Sequence, residues 1–397
     1  MLNGQARTAV AELAAAVLSL RPMIDRLDAP VRVAVPGGAR GAVRGLQTIV
    51  DRVCGRLGAP ALELVRSPES DLDPFGAAAG RRLGLADSGA ALAVLSSDDL
   101  PDVDRVVDEA VSADFDSFCE QRTVRGPDGV GVRAYAAGDP DAPAVVIASA
   151  CGMPARLAEV WIRRLARDHR VLTWESRGLF CGCEDFAGAT GVPAQADDLI
   201  AVMDAFELDQ AHVMGLCGGA VIAITAAAAH PDRISSLSLW HGDFELGDQA
   251  RKTEHQRNLQ ALMTMATRAK VSAAGVHAVL CRSIAASTPP ELAHLVLYPY
   301  ASPDLLFRYC LLNGAIMETD VRPELSAVVQ PTLVVTSEDD TTAHPDGSRY
   351  VAAALPDARL HVVPHGDHIS LFQGPPDLID TASRFMAEKS DVNPSHR

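Results

Sequence analysis

The sequence predicts an α/β protein whose mostly parallel sheet is covered by helices. Three observations predict it. Strand-type and helix-type runs alternate from Ala144 to Ala387, the pattern of strands joined by crossover helices. Runs such as Ala144-Val145-Val146-Ile147-Ala148 are apolar without alternation, as expected for strands buried on both faces. Finally, an apolar run from Ala211 to Met214 stops at Gly215, and Leu216-Cys217-Gly218-Gly219 opens an Ala-rich helical stretch, Ala220 to Ala229. That is strand, sharp turn and helix, with one reactive side chain at the bend. Glycines flank the bend because its backbone is strained and its neighbours pack too closely for a Cβ.

Residues 5 to 28 suit an amphipathic helix, with Val10, Leu13, Val17, Leu20 and Ile24 at three- and four-residue steps. Val31 to Val35 reads as a strand ending in Pro36-Gly37-Gly38, Val43 to Leu57 as a helix, and Ala61 to Val65 as a strand. Ala90 to Leu95 reads as a third strand and Val103 to Val111 as a helix. Residues 1–114 are therefore expected to form a small α/β accessory domain. The Gly37-Gly38 turn lacks a full phosphate-binding fingerprint and reads as a plain strand–helix turn.

From Cys119 the organisation changes. Glu120 to Val124 and Val130 to Ala136 flank Gly126-Pro127-Asp128-Gly129, a hairpin signal. Further strands are expected at Ala144 to Ala148, Arg170 to Trp174, Ser236 to Trp240, Thr332 to Thr336 and Leu360 to Val363. Helices are expected at Ala194 to Phe206 and Asp377 to Ala387. The sheet core is thus assigned to 115–244 and 321–397. The helical stretch 245–320, broken at Pro289-Pro290 and Tyr298-Pro299, reads as a lid inserted over the sheet's catalytic edge. Lys389 to Arg397 reads as a frayed end.

Composition narrows the function. Of 397 residues, 48% are hydrophobic, ample for a core, and the net charge of −16 argues against nucleic-acid and anionic-membrane partners. The eight cysteines follow no framework spacing and read as reduced thiols of a cytoplasmic protein. Glu12 interrupts the apolar N-terminus, so neither a signal peptide nor a membrane span is expected.

A cysteine nucleophile needs a base, and the base an orienting carboxylate. Two later strand-type runs supply both types at their ends: Ser337-Glu338-Asp339-Asp340 and Pro364-His365-Gly366-Asp367-His368. The stretch from Cys119 to Ala387 resembles the α/β-hydrolase superfamily in four motifs. These are Cys151-Gly152-Met153-Pro154, with Cys for the usual His, and Trp174-Glu175-Ser176-Arg177-Gly178, with Glu for Asp. The Gly215-Leu216-Cys217-Gly218-Gly219 elbow carries Cys for Ser, and the acid and histidine segments come last in order. The resemblance implies an α/β-hydrolase fold with a helical lid. It makes Cys217 the nucleophile, His368 the base, and Asp340 the acid, with Asp339 and His365 as rivals. The Gly218 N–H is the first oxyanion donor; Met153 is the second, with Cys151 as alternative. Arg177 is expected to bond nearby loop carbonyls. His212, His241 and His344 are read as structural. One Cys-x-Cys, Cys181-Gly182-Cys183, is insufficient for a metal, so no metal or other cofactor is expected.

Sulfur favours thioester chemistry, because the acyl-enzyme is itself a thioester primed for transfer. Relatives of this kind off-load carrier proteins or polymerise hydroxyacyl groups. The leading expectation is therefore acyl transfer from, or hydrolysis of, a thioester-linked acyl group in polyketide or peptide natural-product biosynthesis. Its partner would be a small-molecule acyl substrate, carrier-protein-bound in the fullest version. The alternatives are an ester, lactone or amide hydrolase, and a non-catalytic ligand-binding homologue.

Overall fold

The computed structural model describes residues 2–35, 40–181, 186 and 188–390. In chain order the N-terminal elements are α1 (Gly4–Ile24), β1 (Val31–Ala34), α2 (Arg40–Leu57), β2 (Leu62–Val65), α3 (Pro74–Leu83), α4 (Leu85–Ala93), α5 (Leu100–Ala113) and α6 (Phe115–Phe118). A hairpin follows, β3 (Glu120–Arg125) and β4 (Gly131–Ala137), then β5 (Ala144–Ala148), α7 (Glu159–Leu165), β6 (Arg170–Trp174), α8 (Val192–Ala205), β7 (Ala211–Leu216), α9 (Gly219–Ala229) and β8 (Ile234–Trp240). Next come the helices α10 (Glu254–Thr267), α11 (Lys270–Ser287), α12 (Ala293–Val296), α13 (Pro303–Glu318) and α14 (Arg322–Leu325). The chain closes with β9 (Thr332–Ser337), α15 (Pro345–Ala354), β10 (Ala358–Val363) and α16 (Pro376–Ser390).

These elements form two compact units, Met1–Phe118 with Val276–Leu306, and Cys119–Gly275 with Phe307–Arg397. The stretch 245–320 is accordingly divided: α12 and most of α11 belong to the first unit, α10 and most of α13 to the second.

In the first unit, the apolar stripe Val10, Leu13, Val17, Leu20 and Ile24 of α1 is buried, with α2, α3, α4, α5 and α12 packed on the helix. Val31–Ala34 and Leu62–Val65 pair in parallel across α2. Ala90 to Leu95, expected as a strand, is instead the end of α4 and its exit. Ala and Leu favour helix, and a short apolar run has no period that separates strand from helix. Gly84, left-handed at φ +60°, ends α3 and launches α4. The described part of this unit therefore has two strands, not three. The Pro36-Gly37-Gly38 turn lies outside the described residues.

The second unit is an eight-stranded sheet in the order β10-β9-β8-β7-β5-β6-β4-β3. The β3–β4 and β4–β6 pairs are antiparallel and every other neighbour is parallel. Central strands β5 and β7 are buried almost throughout, as their unbroken apolar runs require. Ala220 to Ala227 of α9 are buried on every side, and their small side chains let this helix sit close against β7 and β5. The carboxyl ends of β5, β6, β7, β8, β9 and β10 therefore share one edge, where such sheets gather reactive groups. Among the described residues, no helix is long and apolar enough to cross a membrane.

Candidate active site

Close packing creates the bend at Cys217. A Cβ on Gly219 would lie 1.9 Å from the Ala148 carbonyl oxygen, and one on Gly215 would lie 2.5 Å from Ala220 Cα. No side chain fits at either position, so β7 and α9 meet almost backbone to backbone. The chain turns between them through Cys217 at φ +56°, a conformation costly for a residue with a Cβ. Its amide is tied to the Trp240 carbonyl at 2.9 Å, while its own carbonyl accepts the Ala220 N–H at 3.1 Å. The side chain is thus held off the sheet edge at the N-terminus of α9, whose dipole favours negative charge there.

Two further strand ends complete the constellation. The buried Asp340, after β9, accepts His368 Nδ1 at Oδ2 (3.0 Å), and its Oδ1 accepts the Thr342 and Ala343 amides at 2.9 and 2.8 Å. Burial alone would raise the Asp340 carboxyl. The two imidazoles that hydrogen-bond it win, holding it well below the usual carboxylate range. For His368, burial opposes protonation, but its interactions with the Cys217 sulfur and the hydrogen-bonded Asp340 carboxylate hold the ring well above the ordinary imidazole value. Its Nε2 is buried and has no conventional hydrogen-bond partner among the described residues, with the Cys217 sulfur as its electrostatic neighbour. Of the two carboxylates considered, Asp340 is the one that meets His368. Asp339 instead accepts His365 Nδ1 at 3.0 Å on the exposed surface.

His241, read from the sequence as structural, also joins this centre. It follows the last residue of β8 at φ +49°, is buried, and places Nδ1 2.9 Å from Asp340 Oδ2, the oxygen that also receives His368. The two rings meet edge to face, centroids 5.9 Å apart. The available signal was its place at the carboxyl end of a predicted strand, on the same edge as the other reactive groups. The donor atoms of His241, Asp340 and His368 lie within 4.8 Å of one another, close enough for a metal. Donation of an N–H from each ring to one carboxylate oxygen already accounts for that closeness.

Around this centre, Asp243 accepts Gln256 Nε2 at 2.6 Å, and Gln256 Oε1 accepts the Thr253 and His344 amides at 2.9 and 3.0 Å. That network ties the start of α10 to the ends of β8 and β9. Burial raises the Asp243 carboxyl, and burial together with the charge of His368 lowers His255. From α13, Tyr309 covers Gly152, while Ile316 and Asn313 lie over Gly218. Asn313 Nδ2 contacts Met263 Sδ at 3.3 Å.

The other expected residues separate as follows. The Met153 N–H is occupied by the Ala150 carbonyl at 3.3 Å, in a turn over Gly152 at φ +77°. Cys151 is buried with its thiol pushed up to about 12 by desolvation, and bonds weakly with Gln195 and Ser176. Arg177 was expected to serve loop carbonyls. It reaches one, Ala189 O at 3.0 Å, but its main partners are carboxylates: Asp198 at 2.7 Å through both Nε and Nη2, and Asp128 at 2.6 Å. A buried guanidinium requires such pairing. His212 is sandwiched between Ser236 and Ser238, both at 2.8 Å, and His344 caps α15, as structural histidines do. Cys183 lies outside the described residues.

No protein-family model matches the chain. The RutD protein of Caulobacter sp. (strain K31), named as a carbamate hydrolase, is 27% identical over 232 residues, 57% of this chain and 84% of that protein. Its namesake in Rhizobium rhizogenes (strain K84) is 25% identical over 256 residues, 64% of this chain and 96% of its own length. Among solved structures, the enol-lactonase of Burkholderia xenovorans LB400 matches with a TM-score of 0.54 at 22% identity, covering 68% of this chain and 100% of that one. A hydrolase from Pseudomonas aeruginosa PA01 matches with the same TM-score and identity, covering 67% and 98%. All four similarities are to hydrolases, and the structural ones show a shared fold.

Proposed function

On the premise of an α/β-hydrolase core with cysteine at its strand-to-helix turn, we propose that the chain hydrolyses an ester, lactone or amide-type bond, carbamates included, through a Cys217 acyl-enzyme. One observation carries this reading: a strained Cys217 beside a buried His368 that is hydrogen-bonded to Asp340. The relatives' names favour hydrolysis over acyl transfer in biosynthesis.

In the proposed sequence the Cys217 thiolate adds to the carbonyl carbon, and the carbonyl oxygen takes up the negative charge. The Gly218 N–H meets that charge. Met153 is the second donor, once its 3.3 Å bond to Ala150 is exchanged for the oxyanion. Collapse breaks the bond to the leaving oxygen or nitrogen, which takes the proton from His368. A water molecule then loses a proton to His368 and attacks the thioester, releasing the acid and restoring the thiol.

The test is intact-protein and peptide mass spectrometry after mixing with activated esters, lactones, carbamates and acyl thioesters. An acyl adduct on Cys217, absent in Cys217→Ala, is the expected result. Its absence for every class would overturn the proposal and leave a ligand-binding homologue as the reading. A second reading, thioester acyl transfer from a carrier-bound donor, draws on the sulfur itself and on the apolar Met263 and Ile316. Amine or alcohol acceptors that divert the acyl group from water would favour it.

A further inference from the structure

The Asp340 carboxylate has about four acceptor positions, and the structure fills all of them. Oδ1 takes the Thr342 and Ala343 amides, and Oδ2 takes the Nδ1 atoms of both His368 and His241. The two backbone donors fix the carboxylate's orientation. His241 does something different, because it draws on the same oxygen as the base. It also sits in a left-handed conformation that histidine adopts at a cost, immediately after a strand whose ladder it extends through its amide to Val335 O at 2.8 Å.

We infer that His241 is a positioning residue for the proposed triad: by donating to Asp340 Oδ2 beside His368, it sets how much of the carboxylate's charge the base can use. The inference rests on the reading of Cys217, Asp340 and His368 as nucleophile, acid and base. A donor on Oδ2 disperses negative charge that would otherwise stabilise a protonated His368. Without it, Asp340 holds the His368 proton more firmly, and the Cys217 thiolate paired with that ring forms at lower pH. The other titratable groups described around this centre are Asp243 after β8 and His255 on α10, which both feel the charges of His368 and Asp340, and Cys151 after β5, which interacts with Cys217 and whose own thiol is pushed up by burial. None hydrogen-bonds Asp340 Oδ2 among the described contacts, so none replaces His241 as a competitor for that oxygen.

The experiment is the pH dependence of Cys217 alkylation by iodoacetamide, read at the Cys217 peptide by mass spectrometry so that other thiols do not interfere. It needs no substrate. His241→Ala, which removes the donor, is expected to move the acid limb to lower pH by at least ~0.5 unit, a unit being tenfold in the protonation ratio. His241→Phe keeps a ring but no donor and carries the same expectation if the Ala variant fails to fold. His241→Asn is expected to restore the wild-type limb, since its amide nitrogen falls where Nδ1 does and asparagine tolerates positive φ. An unmoved limb, a limb moved to higher pH, or failure of Asn to restore it would overturn the inference. Failure of the underlying reading looks different: wild type and His368→Ala would then share one ordinary thiol profile.

Discussion

Asp339 and Asp340 stand side by side, each hydrogen-bonded to a histidine, and burial separates their roles. Asp339–His365 is an exposed pair of the kind that contributes little, whereas Asp340–His368 is removed from water. Asp340→Asn is therefore expected to lower turnover about a thousandfold or more, and Asp339→Asn to stay within about twofold, measured as kcat/KM on whichever class acylates Cys217. Asp340 also carries a stability signature. Its folded value lies below the unfolded one, so its contribution is present above ~3.9 and lost as pH falls below that value. Motif spacing pointed to Asp340 and His368 as partners, and the two are hydrogen-bonded. The place of His241 at a strand end was legible but its partner was not, because a histidine after a strand looks the same in sequence whether it packs in a core or reaches a carboxylate contributed by another strand.

At the scale of elements, the β7–α9 junction is where the sequence spoke most clearly, since only glycine satisfies the contacts at 215 and 219. Gly219→Ala is expected to cost about 3 kcal/mol or more, or to prevent folding, because the obstruction is backbone of β5. Gly55→Ala, on α2 with open space around it, is expected to stabilise by up to about 1 kcal/mol; denaturant midpoints of the two variants give the contrast. Within β7 and β8, burial lowers His212 to about 3, so the ring is neutral between its two serines. Its folded value is below the unfolded ~6.5, so stability is full above that pH and lost as pH falls toward the folded value. His212→Gln, which cannot titrate, should flatten the fall in Tm across that window; equal slopes would contradict this. The strand expected at Ala90 to Leu95 failed for a local reason: Gly84 begins a helix there, and apolar content alone carries no period.

For the molecule as a whole, a mostly parallel sheet covered by helices was legible from alternation, but the division into two units was not. Nothing in 276–306 signals locally that it belongs with the N-terminal segment. Its membership is written in long-range contacts: α12 on α1 and α3, and a buried hydrogen bond between Ser19 Oγ and His294 Nε2 at 2.6 Å. Deleting 1–118 would uncover Ala293, Leu295, Val296 and Leu297, all buried in the full chain. The fragment 119–397 is expected to aggregate on size-exclusion chromatography, while the full chain elutes as a defined species.

That two-segment build also bears on synthesis. The first 118 residues leave the ribosome long before the piece that closes their unit, which begins at Val276, about 160 positions later. At translation rates of roughly 5–20 residues per second, the opening segment waits on the order of ten seconds for its partner strip. What emerges first cannot be closed until Leu306 is made, and a nascent chain halted before Val276 would present an unsealed apolar surface for chaperones to guard.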